Sequence, residues 1–309
     1  MSIIQTIQVN GFDVKIIQMP LDQIQSNQEK FNGQKILHPF ETEKTEKIVI
    51  VQPKNGKSYE KKSIIMNYCD VYTSPKAQEA ILNPLHIDVK FDGSCGFLSV
   101  SCVDDELCVT AYTRRDVGFD EKTNELKIFG KKYKKYEDIS SMIIQCEEDP
   151  RNGTKYANYS KLHWPFWVPY AKYYKGKIET ISAISGVSPN EYKFNMIAFT
   201  RAVESGHIDK LTHSMSVEQM GDGFNIKESD IFTGSGIVPH GSLRIEIPSE
   251  LLTPSGFKDV ARELPFFEGM IIYGNNGTIW KVRRECINGL NWPENDCEKT
   301  DWVYRCALI

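Results

Sequence analysis

The chain lacks several features that would assign it quickly. No run of about twenty apolar residues occurs in its 309 positions, so a membrane-spanning helix is not expected. The opening stretch, MSIIQTIQVNGFDVKII, has no charged segment followed by a continuous apolar block and does not read as a secretory signal. Asn152-Gly153-Thr154 and Asn276-Gly277-Thr278 then carry no meaning as glycosylation acceptors. The eight cysteines form no Cys-x-x-Cys pair. They read as reduced, buried thiols of an intracellular protein, cytoplasmic or nuclear, rather than as a zinc cage. Positive charge is not in excess. A net charge of −4 and a pI near 5.9 give no global footprint for nucleic acid, so local patches must supply one if it exists. Internal repeats and low-complexity linkers are also missing.

What is present suffices for one large core or two modest ones, with 40% hydrophobic residues. Residues 1–80 alternate short apolar runs (Ile48–Val51, Ile64–Met66) with polar turns, which predicts an N-terminal extension of short strands. From residue 84 to 309 the texture is that of a second, larger unit. Val89–Val100 and Leu107–Thr113 read as strands around the turn Asp104-Asp105-Glu106, with Lys90 at a strand start or in the loop entering it. Residues 190–206 read as a helix with Phe194, Ile197, Ala198 and Ala202 on its apolar face and Gly206 as its stop. Strands are expected at Ser242–Ile247, Met270–Tyr273 and Thr278–Arg283, the last two as a hairpin around Gly274–Gly277. Mixed elements without βαβ repetition predict an α+β fold. The densest basic patch, Lys127–Tyr136, interleaves lysines with aromatics. It reads equally as a solvated basic face and as a segment that neutralises phosphates while rings stack on bases. Lys172–Lys177 is a weaker one.

The chemistry concentrates in an ordered set of motifs. Lys90-Phe91-Asp92-Gly93-Ser94 comes first, Glu268-Gly269 far downstream, and Lys281-Val282-Arg283 thirteen positions after Glu268. A lysine beside an Asp-Gly turn, a strand-borne glutamate and a basic pair suit nucleotidyl transfer, in which the lysine attacks the α-phosphate of a nucleotide. Lysine is ordinarily protonated near neutrality and a poor nucleophile. Desolvation and positive neighbours (Lys281, Arg283, a divalent metal) are expected to favour the free amine and to offset charge on the leaving pyrophosphate. Glu268 is the natural metal carboxylate. Taken singly, each string reads as a turn or a solvated strand end; the ordered set does not.

These residues resemble covalent nucleotidyltransferases, the superfamily of ATP-dependent ligases and capping enzymes, and within it the vertebrate-type 5′-to-3′ RNA ligase family. The resemblance runs from about residue 84 to 293. Lys90–Ser94 is similar to the motif of the adenylated lysine, and Tyr112–Asp116 to an arginine motif that puts Arg114 at the phosphates or ribose. Val217–Gly221 resembles the motif whose glutamate, here Glu218, contacts the nucleotide ribose, with Val238-Pro239-His240-Gly241 following. Glu268–Ile271 resembles the metal-site glutamate motif and Lys281–Arg283 the α-phosphate lysine motif, with Arg283 where many ligases carry lysine. Cys146–Asp149, Trp167–Pro169 and Gly289–Pro293 resemble further family stretches. The resemblance implies an adenylyltransferase domain of antiparallel sheets with flanking helices and the nucleotide between the sheets. It also implies ATP and Mg2+ (or Mn2+) as cofactors, RNA with 5′-phosphate and 3′-hydroxyl ends as partner, and a role in RNA repair. Lys90 would be the nucleophile, Glu268 the metal ligand, and Arg114, Glu218, Lys281 and Arg283 the nucleotide contacts.

Two other readings stand beside it. One is a related enzyme, a capping guanylyltransferase or DNA ligase. Those relatives carry an OB-fold domain after the lysine motif, and the 26 residues that follow Arg283 are too few for that barrel. The other is a non-catalytic RNA-end binder, against which the joint presence of Lys90, Glu218, Glu268 and Lys281 argues. His240, beside a Pro-Gly turn, reads first as structural and second as a nucleotide or phosphate contact. Phe224 reads as core packing before adenine stacking. Gly234-Ser235-Gly236 is a weak phosphate-loop signal.

Overall fold

The computed structural model describes residues 1–27, 36–51, 56–120, 125–128, 131–133, 163–181, 189–206, 208–221, 235–264, 267–290 and 292. The fold is mixed α+β and mostly antiparallel, with few helices. One six-stranded sheet has the order β1-β2-β14-β5-β15-β16. Its strands are β1 (Ser2–Val9), β2 (Phe12–Gln18), β14 (Leu243–Glu246), β5 (Pro84–Lys90), β15 (Gly269–Gly274) and β16 (Ile279–Arg283). The second sheet runs β11-β10-β7-β6-β12-β13. It comprises β6 (Ser94–Val103), β7 (Glu106–Asp120), β10 (His163–Tyr174), β11 (Lys177–Thr180), β12 (Met215–Gly221) and β13 (Ser235–Pro239). A short hairpin, β8 (Glu125–Ile128) with β9 (Lys131–Tyr133), hangs from β7. The remaining strands, β3 (Phe40–Val51) and β4 (Tyr59–Tyr72), make a separate two-stranded ribbon.

Side-chain alternation decides which face of the first sheet is core. Ile87 and Val89 on β5, Met270 and Ile272 on β15, and Trp280 and Val282 on β16 are all buried on one face. After the short α1 (Leu21–Asn27), two later helices help cover it. In α2 (Pro75–Leu82) the Ser74 hydroxyl accepts from the Ala77 N–H at 3.2 Å, and Ala77, Ala80 and Ile81 are buried. In α4 (Pro254–Glu263) Thr253 accepts from the Gly256 N–H at 3.0 Å, and Phe257, Val260 and Ala261 are buried. Both start with proline at a position whose N–H would have no intrahelical partner. The second sheet has its own core of Leu98, Val109, Ala111, Tyr170, Met215 and Val217 against Ala198 and Phe199 of α3 (Pro189–Glu204).

Several expectations need correction. The stretch Val89–Val100 is two strands, because Asp92-Gly93 interrupts the alternation: β5 ends in the first sheet and β6 begins in the second. Lys90 therefore stands at a strand end, at the crossing point between sheets. In α3 the expected face is rotated: Asn195, Ala198 and Phe199 are buried, with Tyr192, Met196, Ala202 and Val203 packed beside them. Four consecutive apolar residues, Met196–Phe199, made the facing ambiguous in sequence. Two strands of residues 1–80 are long rather than short, and β1 and β2 join the sheet that carries Lys90. Ser235 and Gly236 are buried within β13 and form no phosphate loop. Of the described cysteines, all free, Cys102 is exposed and only Cys108 and Cys286 are buried. Lys134, Lys135, Cys146–Asp149 and Phe224 lie outside the described residues.

Candidate active site

The opposite face of the first sheet, the one alternation turns away from the core, looks toward the second sheet across a cleft of about 210 Å3. Register stacks its residues in rungs. Lys90 pairs with Gly269, which pairs with Arg283; Asp88 pairs with Ile271, which pairs with Lys281; His86 pairs with Tyr273. Asp88, Lys90, Ile271, Tyr273 and Lys281 line the cleft from this side. Cys95 of β6, Arg114 of β7 and Glu218 of β12 line it from the other, and the His240-Gly241 turn between β13 and β14 closes one end. The sequence-predicted Lys90, Arg114, Glu218 and Lys281 thus share one concave wall system.

Glu268 sits just before β15 and is 3% exposed. Its carboxylate accepts a hydrogen bond from Lys90 Nζ on one oxygen, and from Arg283 Nε at 2.9 Å on the other. Lys90 Nζ also donates to the Phe91 carbonyl at 3.2 Å. Desolvation raises the Glu268 pKa, but Lys90, Arg283 and Lys281 outweigh it and hold the carboxyl below its usual range. For Lys90 desolvation pulls down, yet Glu268 and Glu218 more than compensate, so its pKa stands above the ordinary lysine value. The sequence expectation had the opposite sign. Arg283 does not line the cleft. It braces Glu268 from behind and spends its other end on Glu285 at 2.6 Å.

The backbone leaves room for this arrangement at one glycine. A Cβ on Gly269 would lie 1.9 Å from the Val282 carbonyl oxygen. Position 269, between Lys90 and Arg283 on the ladder, therefore accepts no side chain. Asp92 is held by Trp292, whose indole N–H donates to its carboxylate at 2.8 Å. Burial first, and Glu268 second, raise the Asp92 pKa. Trp292, from the stretch that resembles a family ending, thus reaches the Lys90 motif.

On the far wall Glu218 is 8% exposed, and its carboxylate meets His240 Nε2 at 2.8 Å. The other ring nitrogen meets the Ser216 hydroxyl at 2.9 Å. His240 is therefore a cleft residue that orients Glu218. Cys95 stands beside it, its thiol pushed up to about 12 by burial and by Glu218. Sequence reading did not single out Asp88, Cys95, Ser216 or Tyr273. Asp88 was findable: two residues before Lys90 on a strand, it must share Lys90's face. Burial raises the Asp88 pKa to about 7 against the opposing pull of Arg244, 3.5 Å away. His86, stacked on Tyr273 with ring centroids 4.3 Å apart, is lowered to about 4 by burial and then by Arg244.

Glu268 is the carboxylate that the motif order assigns to a divalent cation. Among the described residues no three His, Cys, Asp or Glu side chains form a ready cage. Mg2+ commonly takes only one or two protein carboxylates and completes its shell with water and phosphate oxygens. Glu268 is buried, does not line the cleft and has each oxygen engaged by a cationic donor, so a cation there would have to replace one of those donors. Neither the scan of protein-family models nor the search of curated proteins finds a match to the chain, so the site's meaning rests on its own geometry.

Proposed function

We propose that the chain is an ATP-dependent RNA ligase with an adenylyltransferase fold, joining 5′-phosphate and 3′-hydroxyl RNA ends through a covalent lysyl-AMP. The observation that carries this reading is the position of Lys90. It is a largely buried amine at the crossing of two sheets, bonded to Glu268 and facing a cleft shared with Arg114, Glu218 and Lys281. A lysine with a purely structural role does not need a cleft of that composition.

In this mechanism Lys90 Nζ, once deprotonated, attacks the α-phosphorus of ATP. A P–N bond forms, the bond to the β-phosphate oxygen breaks, and pyrophosphate leaves. The 5′-phosphate of an RNA then attacks the same phosphorus, and Lys90 recovers its electron pair. A 3′-hydroxyl finally attacks the 5′-phosphorus and AMP departs. Lys281 faces the cleft where it can offset negative charge on the phosphates. Glu218, oriented by His240, offers an acceptor to a ribose hydroxyl, and Arg114 offers donors beside it. Arg283 positions Glu268. A divalent metal on Glu268 would supply charge neutralisation at the phosphates.

The test is a ligation assay with paired nucleotides and paired ends. The chain should seal RNA with ATP and Mg2+, and fail with GTP alone. Sealing of DNA ends in preference to RNA, or label retained from GTP, would replace this reading with that of a DNA ligase or a capping guanylyltransferase. RNA binding without any nucleotide transfer would leave only an end binder.

A further inference from the structure

The β3–β4 ribbon is rooted behind the site. Its Tyr68 hydroxyl accepts from the Arg283 backbone N–H at 2.9 Å, Phe40 is 1% exposed in the core, and Lys258 of α4 bonds Asp70 at 2.6 Å. Its distal half leaves the body altogether. Glu43–Glu46 and Ile48 on one strand, and Tyr59–Lys62 on the other, are exposed. The strand from Tyr68 to Lys61 spans about 23 Å at roughly 3.3 Å per residue.

This arm differs in charge from the rest of the molecule. Residues 43–62 hold six lysines against three glutamates, a local charge of +3 in a chain whose net charge is −4. Register then sorts the two signs by face, since directly opposed residues share one. One face carries Lys44–Met66, Glu46–Ile64, Ile48–Lys62 and Ile50–Glu60, and includes Glu46 and Glu60. Its Lys62 is paired with Glu46 at 3.1 Å. The other face carries the rung Thr45–Ile65 and then Ser63, Lys61 and Tyr59 of β4, with Glu43 opposite Asn67 as its nearest acid toward the root. Tyr59, 53% exposed, and Lys61 stand on this face, and the exposed Lys57 lies just ahead of the strand; neither lysine has an acidic partner among the described residues.

We infer that the distal part of this second face of the ribbon, beyond Glu43, is an RNA-holding arm. It would take the phosphates of a strand on Lys57 and Lys61 and a base on the Tyr59 ring, at a distance from the reacting ends. The inference rests on the RNA ligase reading and adds where the substrate lies. Charge complementarity favours a polyanion here, because beyond Glu43 the distal part of this face offers no carboxylate to repel it. Lysines and an aromatic ring together suit an unpaired strand. The apolar, charge-balanced opposite face, with Ile48 60% and Ile50 66% exposed, is the surface a second copy of the chain would prefer.

The arm's reach makes the inference testable by length. At one phosphate per about 3.4 Å of stacked strand, about 23 Å corresponds to roughly seven nucleotides. Lys57→Ala/Lys61→Ala should weaken binding of a 5′-phosphorylated single-stranded RNA of about 30 nucleotides about tenfold and lower its log–log salt slope by about 1.4. An RNA of about five nucleotides should be unaffected. Tyr59→Ala should weaken the long RNA without changing the slope. Ile48→Ser/Ile50→Ser should leave both intact. Self-adenylylation from ATP, read in parallel, should be unchanged in every variant. Unchanged long-RNA binding in the lysine variant, or equal loss for both lengths, overturns the arm while leaving the ligase reading standing. So does a result in which only the isoleucine variant matters and sedimentation shows it has dissociated a dimer. Absence of any adduct in the unmodified chain counts against the ligase reading instead.

Discussion

Burial alone would push Lys90 toward its neutral form, but Glu268, Glu218 and Asp92 hold the proton on it. In sequence, Lys281 and Arg283 count as cationic neighbours of the lysine. In the folded chain Arg283 binds Glu268 instead, so its charge is already compensated before Lys90 feels it. Nucleophilic attack therefore requires the proton to leave first. A second residue-scale consequence concerns Asp88 and His86. Asp88 ordinarily titrates near 3.9, and burial lifts it to about 7 in the folded state. The folded chain binds that proton more tightly than the unfolded one, so stability falls as pH rises from about 4 to about 7. His86, lowered to about 4, acts with the opposite slope between about 4 and 6.5, because the unfolded chain binds its proton there. Asp88→Asn removes the first slope and keeps the second. Its stability relative to the unmodified chain should grow by on the order of 3 kcal/mol between pH 4 and pH 8, measured by urea unfolding. A difference that is flat with pH would mean Asp88 is ionised throughout.

At the scale of elements, the site depends on strand ends rather than on strand middles. Lys90 closes β5, Glu268 precedes β15, and His240 fills the turn between β13 and β14. The ladder pairing Lys90, Gly269 and Arg283 allows the two cations to meet one carboxylate only because position 269 has no side chain. Gly269→Ala should cost about 1–3 kcal/mol through overpacking against the Val282 carbonyl, and should depress nucleotide transfer beyond the loss in stability. Loss of stability alone, with normal transfer by the folded fraction, would show that the rung tolerates displacement. Much at this scale was legible in sequence. The Asn-Gly hairpin at 274–277 and the helix near 190–206 formed where turn and stop residues put them. The facing of α3 was not legible, since its apolar residues are contiguous. Nor was the ribbon: alternating lysine and isoleucine read as short strands because no core face marks their length.

At the scale of the molecule, two sheets with separate cores meet where the chain passes from Lys90 to Ser94, and the candidate site occupies that meeting. The motif order made the convergence of Lys90, Arg114, Glu218 and Lys281 legible, because each lies on a strand whose alternation fixes its face. The bracing behind them was not, since Arg283 to Glu268, Trp292 to Asp92 and His240 to Glu218 are long-range hydrogen bonds with no local pattern. The account's central claim is that Lys90 accepts the adenylate. Incubation with ATP and Mg2+, followed by peptide mapping under neutral or basic conditions, tests it most directly. The account predicts one AMP, acid-labile and base-stable, on the peptide containing Lys90, and none on a folded Lys90→Ala chain, which should still seal RNA supplied already adenylated. An adduct on another residue, or one of normal yield in Lys90→Ala, would contradict it.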